Sequence, residues 1–121
     1  MSRVLLVEDN PDNFELVRFL LEHEGHQVLA GRTGKQALEI ARRELPDLVL
    51  MDLSLPEMDG WEAARELKAD QSTRAIPLLA ITAHTLPGDR KRALESGFDG
   101  YISKPINVQN FHGEIQRVLA H

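Results

Sequence analysis

The sequence predicts a single α/β domain with a five-stranded parallel sheet. Five short, nearly continuous apolar segments recur along the chain, and a segment with helical spacing of its apolar residues follows each one. Nearly continuous apolar strands are typical of parallel sheets that are buried on both faces. Regular alternation of strands and helices places helices on both sides of such a sheet. A length of 121 residues is enough for one such domain.

The first half of the chain contains three predicted strands and two predicted helices. Strands are expected at residues 4–7, 27–30 and 48–51, and helices from residue 11 to about 24 and from about 35 to 44. Asn10 is a favourable N-cap for the first helix, and Pro11 suits its first position. Gly25 is a plausible residue to end that helix, because glycine readily adopts the left-handed conformation that often follows a helix.

The second half contributes two strands and three helices. Helices are expected at about 61–68, from 87–89 to 96–97 and at 108–120, and strands at 78–81 and around 100–103. Right-handed crossovers leave few possible topologies. Five strands favour the flavodoxin-like order 2-1-3-4-5 over a six-stranded dinucleotide fold. Strands 1 and 3 then flank the point where the strand order reverses, which is where such sheets bind ligands.

Composition limits the compartment and the partners. Fourteen basic and nineteen acidic residues give a net charge of −5, which argues against direct nucleic-acid binding or a polybasic membrane surface. No cysteine is present, so disulfides and thiolate metal sites are excluded. Neither a signal peptide nor a transmembrane segment is recognisable. We therefore expect a cytoplasmic protein that does not bind membranes.

Four polar residues stand at the ends of predicted strands. Asp9, Asp52, Thr82 and Lys104 would meet at the carboxyl edge of the sheet, where open α/β sheets place their sites. Each alone has an ordinary structural explanation, such as a turn, a cap or a solvated lysine, and only their joint occurrence is informative. With Glu8, the acids form a crowded group whose charge a divalent ion such as Mg²⁺ could neutralise.

This combination of side chains predicts phosphoryl transfer to a carboxylate. Asp52 is the expected nucleophile, because a carboxylate can form an aspartyl phosphate. The remaining requirement is neutralisation of charge on the phosphoryl oxygens. A metal, Lys104 and the hydroxyl of Thr82 would each serve one oxygen.

The chain resembles response regulator receiver domains, the CheY-like superfamily, over essentially its full length. The resemblance rests on Val-Glu-Asp-Asn at 7–10, Asp52 with Pro-Glu-Met-Asp-Gly at 56–60, Thr-Ala at 82–83 and Lys-Pro at 104–105. It implies that Asp52 is phosphorylated with Mg²⁺ bound, Mn²⁺ being a possible substitute. It also implies the same strand order, so that order is not an independent inference.

The resemblance also implies the roles of individual residues. Asp9 and Asp52 would bind the metal directly, Glu8 through water and Ser54 through its main-chain carbonyl; Thr82 and Tyr101 would be switch residues, and Lys104 would pair with the phosphate. The Lys104–Pro105 bond is expected to be cis. Ser54 and His84 stand where residues tune the loss of the phosphoryl group, although an exposed loop histidine is an equally good interpretation of His84.

The resemblance further implies the partners. The donor would be a phosphohistidine on a histidine kinase or phosphotransfer protein, and phosphorylation would alter a face formed by helix 4, strand 5 and helix 5. The receiver itself would supply the groups for its phosphorylation and dephosphorylation. We expect residues 1–121 to form one receiver without an output domain, resembling single-domain regulators of the DivK type, as a monomer or weak dimer.

Other functions remain open at this point. The chain could be the receiver of a hybrid histidine kinase, or a binding module that is never phosphorylated. A flavodoxin-like FMN protein is disfavoured, since the acidic loop at 8–12 would repel a phosphate. An aspartate-nucleophile phosphatase normally has a second acid two residues after the nucleophile, where this chain has Ser54.

Overall fold

The structure, a computed structural model, describes residues 2–53, 60–82, 89–104 and 106–120. Within these ranges, five strands alternate with five helices, as predicted. The strands are β1 Arg3–Val7, β2 Gln27–Gly31, β3 Leu48–Asp52, β4 Leu78–Thr82 and β5 Gly100–Ser103. The helices are α1 Pro11–His23, α2 Gly34–Glu44, α3 Gly60–Ala69, α4 Asp89–Glu95 and α5 Val108–Leu119.

The sheet has the predicted order β2-β1-β3-β4-β5, and every neighbouring pair is parallel. Four strands are one residue longer than the apolar pattern indicated: β1 at its start, and β2, β3 and β4 at their ends. Asp52 pairs in register with Ile81, and Thr82 pairs with Ser103, so both polar residues are the last residues of strands rather than the first residues of loops. Main-chain pairing therefore orients both side chains.

Local signals at the ends of α1 are confirmed. The side chain of Asn10 accepts hydrogen bonds from the main-chain N–H groups of Asp12 and Asn13, which satisfies two donors that the helix leaves open. Pro11 occupies the first helical position. Gly25 has a φ of 88°, the left-handed conformation expected after a helix end. The N-cap at Asn10 fixes the direction of the chain directly after Asp9.

Alternate residues of each strand pack against opposite layers of helices. Val4 and Leu6 of β1 belong to a core cluster with residues of α1 and α5. Leu5 and Val7 belong to a second cluster with residues of α2, α3 and α4. All four strand side chains are at most 1% exposed. The sheet is thus covered on both faces, and side chains that follow the strands gather at its carboxyl edge.

Candidate functional site

Three carboxylates gather where β1 and β3 end side by side. Val7 and Met51 are paired in register, so Glu8 and Asp52 follow as neighbours. The main-chain N–H of Glu8 donates to the carbonyl of Gly31 at 3.0 Å, which extends the pairing with β2 by one residue. Glu8 and Asp52 are only 3% and 4% exposed, whereas Asp9 is exposed. One carboxylate oxygen from each of the three lies within 4.8 Å of the others.

Lys104 connects two of these carboxylates. Its main-chain N–H donates to the carbonyl of Thr82 at 2.8 Å, which holds the residue against the end of β4. Its Nζ lies 3.0 Å from Oδ2 of Asp52 and 3.4 Å from Oε1 of Glu8. The expected partnership with Asp52 is therefore present in the geometry, and Glu8 is a second partner that the sequence did not predict.

The protonation of the site follows from this crowding. Burial raises the pKa of Glu8 to about 7, and the hydrogen bond and negative charge of Asp52 act in the same direction. The main-chain N–H of Asn10, 3.2 Å from Oε2 of Glu8, and the charge of Lys104 oppose the shift. Glu8 is thus partly protonated near neutral pH. The protonated form can donate a hydrogen bond to the carboxylate of Asp52.

The pKa of Lys104 is also raised, which for a lysine favours the charged form. Burial disfavours the ammonium of Lys104, but the hydrogen bond and charge of Asp52, together with Glu8, outweigh it and raise the pKa of Lys104. The lysine therefore stays charged. Among the described residues, Lys104 supplies the ammonium that lies against this group of three carboxylates, and the donor set is entirely oxygen. Both features suit a hard divalent cation, which favours carboxylate and water oxygens.

The predicted switch residues lie on β4 and β5. Thr82 ends β4, one residue after the Ile81 that pairs with Asp52, and is 1% exposed. Tyr101 lies on β5 opposite Ala80 and is partly buried against the core cluster of α2, α3 and α4. Thr82 therefore lies at the carboxyl end of the sheet, and Tyr101 lies on the face that α2, α3 and α4 cover.

Three predicted features lie outside the described residues: Ser54, His84 and the Lys104–Pro105 bond. Their roles stay predictions. The feature that sequence reasoning missed is the burial of Glu8, which was expected to reach a metal through water. Its position directly after the fully buried β1 was the available signal, since the main chain there is still paired with β2.

Comparison with known proteins decides the family. The response regulator receiver domain family matches residues 4–116. The chain belongs to this family. Receiver domains are the phosphorylation-dependent switches of two-component systems. The polar-differentiation response regulator DivK of Brucella ovis is 44% identical over 116 residues, which cover 96% of this chain and 94% of DivK.

Solved receiver structures superimpose closely. The receiver domain of the sensor histidine kinase PA1611 from Pseudomonas aeruginosa, which has a magnesium ion coordinated in its active-site cleft, has a TM-score of 0.92 and 37% identity. The alignment covers 99% of this chain and 98% of that one. The chemotaxis response regulator CheY4 of Vibrio cholerae has a TM-score of 0.90 and 27% identity, with 98% of each chain covered. In this receiver, none of the described helices is long and apolar enough to cross a membrane.

Proposed function

We propose that this receiver accepts a phosphoryl group on Asp52 and thereby switches a protein-binding face. The observation that carries the proposal is the contact of 3.0 Å between Nζ of Lys104 and Oδ2 of Asp52. Asp52 is the buried carboxylate whose neighbours include both an ammonium and two further acids. Lys104, and a metal ion held by the acids, would neutralise the charge of a phosphoryl group that arrives at this nucleophile.

In the proposed reaction, an oxygen of Asp52 forms a bond to phosphorus while the phosphorus–nitrogen bond of a phosphohistidine breaks. The imidazole leaves with the bonding electron pair, and Lys104 offsets charge on one phosphoryl oxygen. Glu8, Asp9 and Asp52 are the residues that would hold Mg²⁺, or Mn²⁺ in its place. When bound, the ion neutralises charge on the phosphoryl oxygens. The resemblance assigns one further ligand to the carbonyl of Ser54.

The proposed response follows from the order of the strands. Thr82 would turn its hydroxyl toward a phosphoryl oxygen, and Tyr101 on the neighbouring strand would move inward with it. A cavity of about 520 Å³ along β5 and α5 begins at Tyr101. Movement of this ring would therefore alter the α4–β5–α5 face, to which we assign the downstream protein.

We further propose a single-domain regulator in the cytoplasm, monomeric or weakly dimeric, that receives its phosphoryl group from a histidine kinase or a phosphotransfer protein. Support comes from DivK, of which the alignment covers 94%. The alternative is the receiver of a hybrid histidine kinase, which the 37% identity to the receiver of PA1611 favours. Phosphorylation on Asp52 is common to both proposals.

Mass spectrometry of the intact protein tests the proposal. We expect one phosphoryl increment after incubation with acetyl phosphate and Mg²⁺, and none when EDTA is present or in Asp52→Asn. The matched control is Asp47→Asn, the same substitution at the opposite end of the sheet, which should be phosphorylated normally. A wild type that is folded but gains no increment from either acetyl phosphate or a phosphorylated phosphotransfer protein would favour a phosphorylation-independent binding module.

The proposed rate-tuning roles of Ser54 and His84 have a separate test. Dephosphorylation of His84→Ala and Ser54→Ala, followed by the decay of the same mass increment, should differ from that of wild type. Equal decay rates in all three proteins would remove both residues from the mechanism.

A further inference from the structure

A small aromatic and cationic contact joins α3 to α4. The guanidinium carbon of Arg92 lies 4.3 Å from the centroid of the Trp61 ring, within the range of cation–π attraction. The indole also meets the ring of Phe98 edge to face, with centroids 6.1 Å apart and an interplanar angle of 84°. Trp61 is thus held by a charge on one side and by a buried ring on another.

Trp61 and Arg92 each lie in a helix that directly follows a strand of the proposed site. Trp61 is the second residue of α3, the helix that follows the strand carrying Asp52. Arg92 lies in α4, the helix that follows the strand carrying Thr82. The contact therefore joins the two helices that stand directly downstream of the proposed phosphoacceptor and of the proposed switch hydroxyl.

Trp61 also shares its packing with the proposed switch tyrosine. Trp61 and Tyr101 both pack, partly buried, against the core cluster that contains Ala93 and Phe98. Ala93 is the residue after Arg92, and neither Ala93 nor Phe98 is more than 2% exposed. Because protein cores are close-packed, an inward movement of Tyr101 acts on the same cluster that supports the indole.

We propose that Trp61 and Arg92 are positioning residues that hold α4 in its unphosphorylated place and separate when the receiver is activated. This inference rests on the proposed function, since it supplies the movement of Thr82 and Tyr101. In this proposal the contact belongs to the unphosphorylated arrangement and therefore opposes activation. Its loss shifts the equilibrium between the two arrangements toward the active one by about two- to fivefold, the range of a partly exposed cation–π pair.

Fluorescence can test this pair directly, because Trp61 is the one tryptophan in the sequence. The probe is beryllium fluoride with Mg²⁺, a mimic of the phosphoryl group on aspartate. Wild type should show a change in emission on titration. Arg92→Met, which keeps the length of the side chain without its charge, should lose most of that change and bind the mimic about threefold more tightly.

Two further variants separate a specific contact from a general effect of charge. Arg92→Lys retains a cation and should fall between wild type and Arg92→Met. Lys91→Met removes the neighbouring charge on α4, whose partner is Glu95 at 3.8 Å, and should behave as wild type. Trp61→Phe, followed by ¹⁹F NMR of the bound fluoride rather than by emission, should also bind the mimic more tightly.

Two results would contradict the inference. If Arg92→Met matches wild type in both emission change and affinity, or if Lys91→Met shifts as much as Arg92→Met, the pair does not hold α4 and the inference is wrong. A wild type that gains no phosphoryl mass increment would instead defeat the proposed function, and this inference with it. Mass spectrometry of the same protein preparations, treated with acetyl phosphate and Mg²⁺ instead of beryllium fluoride, therefore tells the two failures apart.

Discussion

At the amino ends of the strands, charged side chains bind main-chain groups, whereas at the carboxyl ends three carboxylates lie close together and Lys104 contacts two of them. Before β5, Oδ2 of Asp99 accepts from the main-chain N–H of Leu78 at 2.8 Å. Lys68 donates to the carbonyls of Arg74 and Ile76 at 3.1 and 3.0 Å and lies 3.5 Å from Asp99. Each of these charges completes a hydrogen-bond requirement of the fold.

Charged side chains also bind main-chain groups at the start of β1. Oδ2 of Asp47 accepts from the main-chain N–H of Arg3 at 2.8 Å. The guanidinium of Arg3 binds both the carbonyl and the carboxylate of Glu44, at 2.8 Å each. At the other end of the sheet, the negative charge of Glu8, Asp9 and Asp52 exceeds the positive charge that Lys104 supplies. The charged groups at the amino end of the sheet thus satisfy hydrogen bonds of the fold. The acids named at the carboxyl end carry more negative charge than Lys104 neutralises, which suits a cationic ligand.

The largest effect should follow removal of the ammonium from the crowded end. Lys104→Met leaves Asp52 and Glu8 buried without their cation, so the free energy of unfolding at pH 8 in EDTA should fall by about 3 kcal/mol. At pH 6 the loss should be smaller, because Glu8 then carries a proton. Urea denaturation measures both values, with the exposed Lys35→Met as the control. An equal loss at the two pH values would contradict the proposed role of Glu8.

A smaller loss is expected at the structural end. Asp99→Ala removes the acceptor for the partly buried N–H of Leu78 and a partner of Lys68, which should cost about 2 kcal/mol in the free energy of unfolding. Asp99→Asn keeps an acceptor oxygen and should lose less than half as much. Unlike the first loss, this one should not change between pH 6 and pH 8. A marked pH dependence would break the contrast between the two ends.

The proton on Glu8 predicts how stability varies with pH. The pKa of Glu8 rises from 4.5 to about 7 on folding, so between these values the folded state binds more protons than the unfolded state. The free energy of unfolding therefore falls as pH rises through this window, by about 2 kcal/mol. Glu8→Gln should flatten the profile in EDTA. Denaturation at pH 5 and pH 8 measures the difference, and parallel profiles for the two proteins would refute the shift.

The smallest expected effect is a gain at the structural end. Leu45, which follows α2, has a φ of 46° and is 53% exposed. A left-handed conformation is unfavourable for leucine and easy for glycine, so Leu45→Gly should raise the free energy of unfolding by about 1 kcal/mol. Leu45→Ala removes the same side chain but keeps the strained conformation, and should change little. A loss of stability in the glycine variant would show that the exposed side chain packs favourably.

Most of the fold was predictable from local patterns. Apolar periodicity located the helices and strands to within one or two residues, and Asn10 and Gly25 marked the ends of α1 correctly. Such signals are readable because each depends on residues a few positions apart. They underestimated four strands by one residue each. In β3 and β4 the cause is that Asp52 and Thr82 interrupt the apolar pattern while their main chains are still paired.

The candidate site was predictable only in part. The grouping of Asp9, Asp52, Thr82 and Lys104 at one edge followed from parallel topology, in which all strands end on the same side. The burial and raised pKa of Glu8 did not, because they depend on how deeply neighbouring strands enclose its carboxyl group. The left-handed conformation of Leu45 likewise had no signal in the residue type.

The sequence by itself determined the class of protein, the order of the strands and the residues available for chemistry, since these depend on pattern and on residue type. Only the tertiary structure decided which charges share a proton and which rings touch. Lys104 and Glu8 are 96 residues apart in the chain, yet lie 3.4 Å apart in the site. Short distances of this kind arise when the helices pack on the sheet, because folding then brings charged residues from distant parts of the chain into one buried site.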